Sequence, residues 1–326
     1  MTPFTSILCA LDFSPLAPRV LRHAVGFAGA TGARLTVITV TAVEPRQAEA
    51  TVRALLRDTV PRDASYLADP AVTIVRVAVG QPSDAILPLA REGADLIVAG
   101  THSKSGLSRW LLGSTSAAIM EEAVCPTLLV PPGTLEIVTL TPNAATLRPG
   151  TVMAAVDLAE RNHRQLAIAG HLASLAGQPL TLMTVAGPST SDEQAEQGLR
   201  ARALAIGTAP PDRIVVRRGV VHDEIDHAAL AEHAGLVVMG LRARGHGVPG
   251  RIASAEMSEA TSPTRTTDVA IVGRARRARA APVTAIEINR NGMRLIVPRP
   301  RSSPPAGAAI RVARRAGAGC GRAIPR

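Results

Sequence analysis

The sequence predicts an α/β chain: two doubly wound domains in tandem, each a parallel five-stranded sheet covered by helices on both faces. Three observations predict it. Short, β-branched apolar runs alternate with amphipathic segments rather than with tight turns, and parallel strands need helical crossovers of that kind. The runs also recur: ILCALD closes at Asp12 and VMAAVD at Asp157, LTVITV ends at Val40 and LTLMTV at Val185, both pairs 145 residues apart. DLIVAG, ending at Gly100, and GLVVMG, ending at Gly240, follow at an offset of 140, which a duplicated unit with one shortened loop produces. Finally, 326 residues that are 46% hydrophobic and 19% charged are enough for two globular cores.

In the first copy the runs place strands at roughly 6–11, 35–40, 72–79, 95–99 and 126–131, with helices over 15–30, 46–59, 82–92 and 114–124. Pro131-Pro132-Gly133 then breaks the chain. The expected layout is a first domain over 1–133, a linker over 134–149, a second domain over 150–273 whose fifth strand is DVAIV at 268–272, and a tail over 274–326. The net charge of +10 belongs to the end of the chain: from Thr261 onward there are 14 Arg against Asp268 and Glu287. A basic, Pro- and Ala-rich tail reads as a solvated or disordered appendage before it reads as a nucleic-acid arm.

Aromatics make up 2% of the chain, too few for the stacking platforms of single-strand nucleic-acid binders. No apolar run is long enough to span a membrane and MTPFTSILCALDFSP lacks a signal-peptide pattern, so the expected location is cytoplasmic. Cys9, Cys125 and Cys320 are far apart, Cys9 and Cys125 lie in apolar segments, and neither a disulfide framework nor a metal site is expected.

Ligands of open parallel sheets sit beyond the carboxyl ends of the strands, where the strand order reverses. With the third strand at an edge, that point lies between the first and fourth strands, so Asp12 and Gly100 should face each other. GTHSKSGLSRWLLGSTSAA follows the fourth strand, punctuated by Gly100, Ser103, Gly106 and Gly113 and ending in Gly113-Ser114 at a helix start. Helix-start amides suit a phosphate, and Lys104, the only lysine of the chain, or Arg109 could add positive charge. The same residues also suit an ordinary glycine loop with a serine cap, and Asp12 suits a helix cap in Asp12-Phe13-Ser14-Pro15. His102 lies on the loop with no partner to make it a general base.

These residues resemble the universal stress protein family, closely over 1–132 and loosely over 150–273. Nucleotide-binding members carry an Asp after the first strand and a loop G-x2-G-x9-G-(S/T) after the fourth, in an adenine-nucleotide-binding, Rossmann-like fold. Here Gly100, Ser103, Gly113 and Ser114 keep that spacing, with Ser103 in place of the second glycine. The resemblance implies ATP or AMP as ligand, with Mg2+ beside ATP. It places Asp12 and the neighbourhood of Val40 on the adenosine part, and the loop amides with Ser114 on the phosphates. In the second copy Asp157 and Val185 keep their places, but only nine residues separate Gly240 from Gly250, and Arg251 replaces the serine, so this half is expected to be structural or a poor anion binder. VTAIEINRNGMRLIVPRP at 283–300 faintly resembles a PilZ domain, which binds cyclic di-GMP, but lacks its R-x3-R pair.

The expected function is a nucleotide-responsive stress or regulatory protein without turnover, since no nucleophile elbow, metal spacing or G-x4-G-K-(S/T) loop is present. The alternatives are a related nucleotide hydrolase or transferase, and a dimerisation module that binds nothing. Single-domain relatives commonly pair, so the halves are expected to pack as a pseudo-dimer within one chain. TLLVP at 127–131 and DVAIV would be the meeting edges; otherwise those edges are covered by the linker or used between chains, as in a homodimer.

Overall fold

The computed structural model describes residues 4–41, 44–62, 64, 73–101, 114–132, 136–160, 163–241 and 268–273. The first half alternates as read from the sequence: β1 (Ser6–Leu11), α1 (Ala17–Thr31), β2 (Arg34–Val40), α2 (Pro45–Thr59), β3 (Thr73–Ala78), α3 (Pro82–Arg91), β4 (Leu96–Gly100), α4 (Ser114–Glu122) and β5 (Thr127–Val130). A hairpin of β6 (Val138–Leu140) and β7 (Ala145–Leu147) follows. The second half runs β8 (Thr151–Ala155), α5 (Arg164–Ala176), β9 (Leu180–Val185), α6 (Asp192–Ala205), β10 (Arg213–Arg217), α7 (Val221–Ala231), β11 (Ala234–Leu241) and β12 (Asp268–Gly273).

Local chemistry fixes several of these ends. Pro18 opens α1, where its missing N–H costs nothing, and Gly32 closes it at φ 69°, a left-handed conformation that favours glycine. Ser191 and Gln194 form a reciprocal capping box at the start of α6. At the amino edge of the first sheet, Asp95 accepts hydrogen bonds at one oxygen from Thr5 N (2.8 Å), Thr5 Oγ1 (2.6 Å) and Ser6 N (3.0 Å), which sets β1 against β4.

All strands but the hairpin join one sheet in the order β10-β9-β8-β11-β12-β5-β4-β1-β2-β3. In the first half β1 lies parallel between β2 and β4, and β5 continues parallel beside β4, giving the five expected strands. The second half repeats this with four parallel strands, β8 lying between β9 and β11. Its expected fifth strand forms as β12 but differs in direction. It runs antiparallel to β11, Leu241 opposite Asp268 and Leu236 opposite Gly273, and parallel to β5, with Ile271 beside Leu128. An antiparallel partner enters at the end of the sheet where β11 finishes, so it needs no helical crossover.

The faces of the sheet are packed differently. On the side of α1 and α5 one core cluster runs through both halves, including Leu21, Phe27, Leu35 and Leu128 from the first and Val152, Leu172, Leu182 and Leu236 from the second. On the other side the halves keep separate cores, one around Leu8, Ile97 and Ile119 and one around Met153, Met183 and Val237. Within the stretch expected as a linker, the hairpin buries Ile137, Val138 and Leu147 in the shared core. Gly26 of α1 is required there, because a Cβ at that position would overlap the Val138 side chain. Cys9 and Cys125 are buried as expected, and burial pushes the Cys9 thiol up to about 12, which leaves it unreactive. Cys320 and the tail over 274–326, with its PilZ-like segment, lie outside the described residues.

Candidate functional site

The register brings the expected crevice to the carboxyl ends of β1, β2 and β4. Ala10 lies beside Ala99 and Leu11 beside Thr39, so Asp12, Val40 and Gly100 stand together at one edge of the sheet. Asp12 is exposed, and its Oδ1 accepts from Ser14 N at 3.2 Å, forming a turn that leads into α1. Val40 is half-buried against the core on the α3 side. Next to it Thr39, 1% exposed, has a hydroxyl without a hydrogen-bond partner.

Gly100 lies in contact with α1. A Cβ on it would meet Leu16 at 3.0 Å and Val20 at 3.2 Å, so glycine lets the end of β4 approach the helix. Thr101 N donates to Val130 O at 3.3 Å and carries the main chain past the end of β5. Ser114 is the first residue of α4 and is exposed, as a helix start that meets a ligand must be. Two residues on, Ser116 is 5% exposed and its Oγ donates to Gly100 O at 2.6 Å. That hydrogen bond ties the start of α4 to the end of β4. Ser116 is absent from the sequence-based set because the motif ends at Ser114; its signal was the second serine in GSTSAA. Of that set, Asp12, Val40, Gly100 and Ser114 are brought to one edge of the sheet, while Ser103, Lys104, Arg109 and Gly113, with His102, lie outside the described residues.

The second half repeats the frame with different chemistry. Asp157 Oδ1 accepts from Ala159 N at 2.8 Å, the same turn that Asp12 makes. Under Gly240, however, a Cβ would meet Glu160 Oε2 at 3.2 Å and Gln165 Nε2 at 3.4 Å, where Gly100 has Leu16 and Val20. Gln165 is fully buried, and neither atom of its amide has a partner. His163 Nε2 accepts from Arg202 Nε at 3.0 Å, so the neutral ring carries its proton on Nδ1. Burial, and then the Arg202 charge, hold the His163 pKa below the ordinary histidine value. Two carboxylates, Asp157 and Glu160, thus stand where the first half offers one. Sequence reasoning missed Glu160 and Gln165, since neither belongs to a motif.

An Asp after the first strand, a glycine after the fourth and an exposed helix start thus meet at the switch point of a doubly wound α/β fold. The universal stress protein family model matches residues 3–131. A universal stress protein of Thermus aquaticus is 38% identical over 135 residues, covering 39% of this chain and 98% of its own length. The chain belongs to the universal stress protein family. A solved Pseudomonas aeruginosa protein of unknown function shares the fold over 83% of this chain and 93% of its own, with a TM-score of 0.57 at 19% identity. A universal stress protein from Archaeoglobus fulgidus does so over 84% and 99%, with a TM-score of 0.51 at 16% identity. Among the described residues no helix is long and apolar enough to cross a membrane.

Proposed function

We propose that the chain is an ATP- or AMP-type nucleotide-binding stress-response or regulatory protein that does not turn its ligand over, with its main site in the first half. The observation that carries this reading is the meeting of Asp12, Val40, Gly100 and the start of α4 at the switch point between β1 and β4. In this reading the adenosine part lies against Asp12 and Val40, and the phosphates lie at Ser114 and the first amides of α4. Ser103 and Gly113 complete the site by their place in the family spacing, Lys104 or Arg109 adds positive charge near the phosphates, and Mg2+ accompanies ATP. The second crevice contributes little, because the Glu160 carboxylate lies at Gly240, on the phosphate side, and Arg251 stands at the position of the serine.

The same reading treats 1–133 and 150–273 as two domains packed as a pseudo-dimer within one chain. The β5–β12 pairing and the core shared through the hairpin support it. Equilibrium binding of radiolabelled ATP to the full chain, followed by a search for ADP and AMP, tests the function. The reading expects saturable binding with the nucleotide recovered intact; stoichiometric release of product on each encounter makes the protein a hydrolase, and absence of binding makes it an assembly module.

A further inference from the structure

We propose that Ser116 is a positioning residue for the phosphate end of the nucleotide site, acting through the carbonyl of Gly100 without touching the ligand; this rests on the nucleotide-binding reading above. The chain leaves the sheet at Gly100 and returns as α4 at Ser114, so the distance between those two points decides where the helix start stands relative to the crevice. Among the described residues one side-chain hydrogen bond spans them. Ser116 Oγ donates to Gly100 O at 2.6 Å, bridging 16 residues of chain, and the serine is buried with 5% exposure. A hydroxyl bond of that length is short within its range, and water does not compete for a buried one.

The bond also decides the fate of two groups at the site's edge. Gly100 O, at the end of β4, accepts this hydrogen bond from Ser116, so the last carbonyl of the strand is held by the helix. In exchange the carbonyl fixes the first turn of α4, whose N–H groups have no partner within the helix and face away from its body. A phosphate held by such amides responds to shifts of a fraction of an ångström, and a positioned helix start keeps its donors in place before the ligand arrives.

The duplicated half supplies an internal comparison. Counting three residues on from the last loop glycine gives Ser116 after Gly113 but Ala253 after Gly250. In sequence, the copy with Arg251 in place of Ser114 therefore also has alanine in place of Ser116.

The test compares the parent, Ser116→Ala and Ser116→Thr full chains for equilibrium binding of ATP and of adenosine, with thermal unfolding of each. Loss of the tether should weaken ATP about tenfold, the equivalent of one hydrogen bond to a charged site, and leave adenosine within about twofold. Threonine keeps the hydroxyl and should restore most of the ATP affinity. Equal losses for ATP and adenosine, or an unchanged ATP affinity in Ser116→Ala with parental ATP binding intact, overturn the positioning role alone. A parent that binds neither ligand overturns the nucleotide reading and this inference with it. Because alanine is smaller and helix-favouring, the variant should fold, and its unfolding temperature should stay within a few degrees of the parent.

Discussion

At Gly26 the packing is decided by a single missing atom. The hairpin presses Val138 into the space a Cβ would take, in the middle of a helix where glycine is otherwise unfavourable. Gly26→Ala should therefore destabilise the fold by about 1 kcal/mol or more despite the gain in helix propensity, and Val138→Ala in the same chain should return part of the loss. Urea unfolding of the two single variants and the pair measures it; a Gly26→Ala chain more stable than the parent would mean the hairpin does not press on α1. Residues of this kind were not legible in the sequence. Gly26 sits in an apolar helical stretch like any small residue, and Ser116 and Gln165 earn their roles from groups 16 and 75 positions away that only the folded chain brings near. Asp12, Val40, Gly100 and Ser114 were legible because strand ends and a loop spacing mark them, and a parallel sheet puts strand ends in one place.

At the scale of elements, α7 carries the one carboxyl among the described residues that is raised above its ordinary value. Burial first, and the Asp223 carboxylate after it, raise Asp226 to about 7, with His227 opposing them. A carboxyl whose folded pKa lies above its unfolded value stabilises the fold fully below the unfolded pKa of 3.8 and loses that contribution as pH rises through about 7. Asp226→Asn should thus be more stable than the parent at pH 8, with the gap closing toward pH 4, as followed by thermal unfolding across that range. A gap that widens on acidification would show that Asp226 is held as an anion. The strands and helices of the first half matched the alternation of apolar runs within a residue or two, because each is long enough to show a period. The hairpin strands of three residues each show none, and the direction of β12 depends on its neighbours β11 and β5 rather than on its own residues.

Across the whole molecule, the β12–β5 pairing is the only strand pairing between the two halves among the described residues. A chain ending at Gly273 should unfold like the parent in one transition, since a basic, Pro- and Ala-rich segment generally adds little to a packed core. A chain ending at Thr267 should lose the seam strand, leave the edge of β5 open and unfold in two steps, with a larger radius in small-angle scattering. One shared transition in both truncations would mean that the core through the hairpin, not β12, couples the halves. The central claim, one nucleotide held at the first switch point, is tested most directly by the stoichiometry of ATP binding to the parent, Gly113→Val and Gly250→Val full chains by isothermal titration. The account predicts one ATP per parent chain, retained in Gly250→Val and weakened at least tenfold in Gly113→Val; two sites, or equal losses in the two variants, would contradict it.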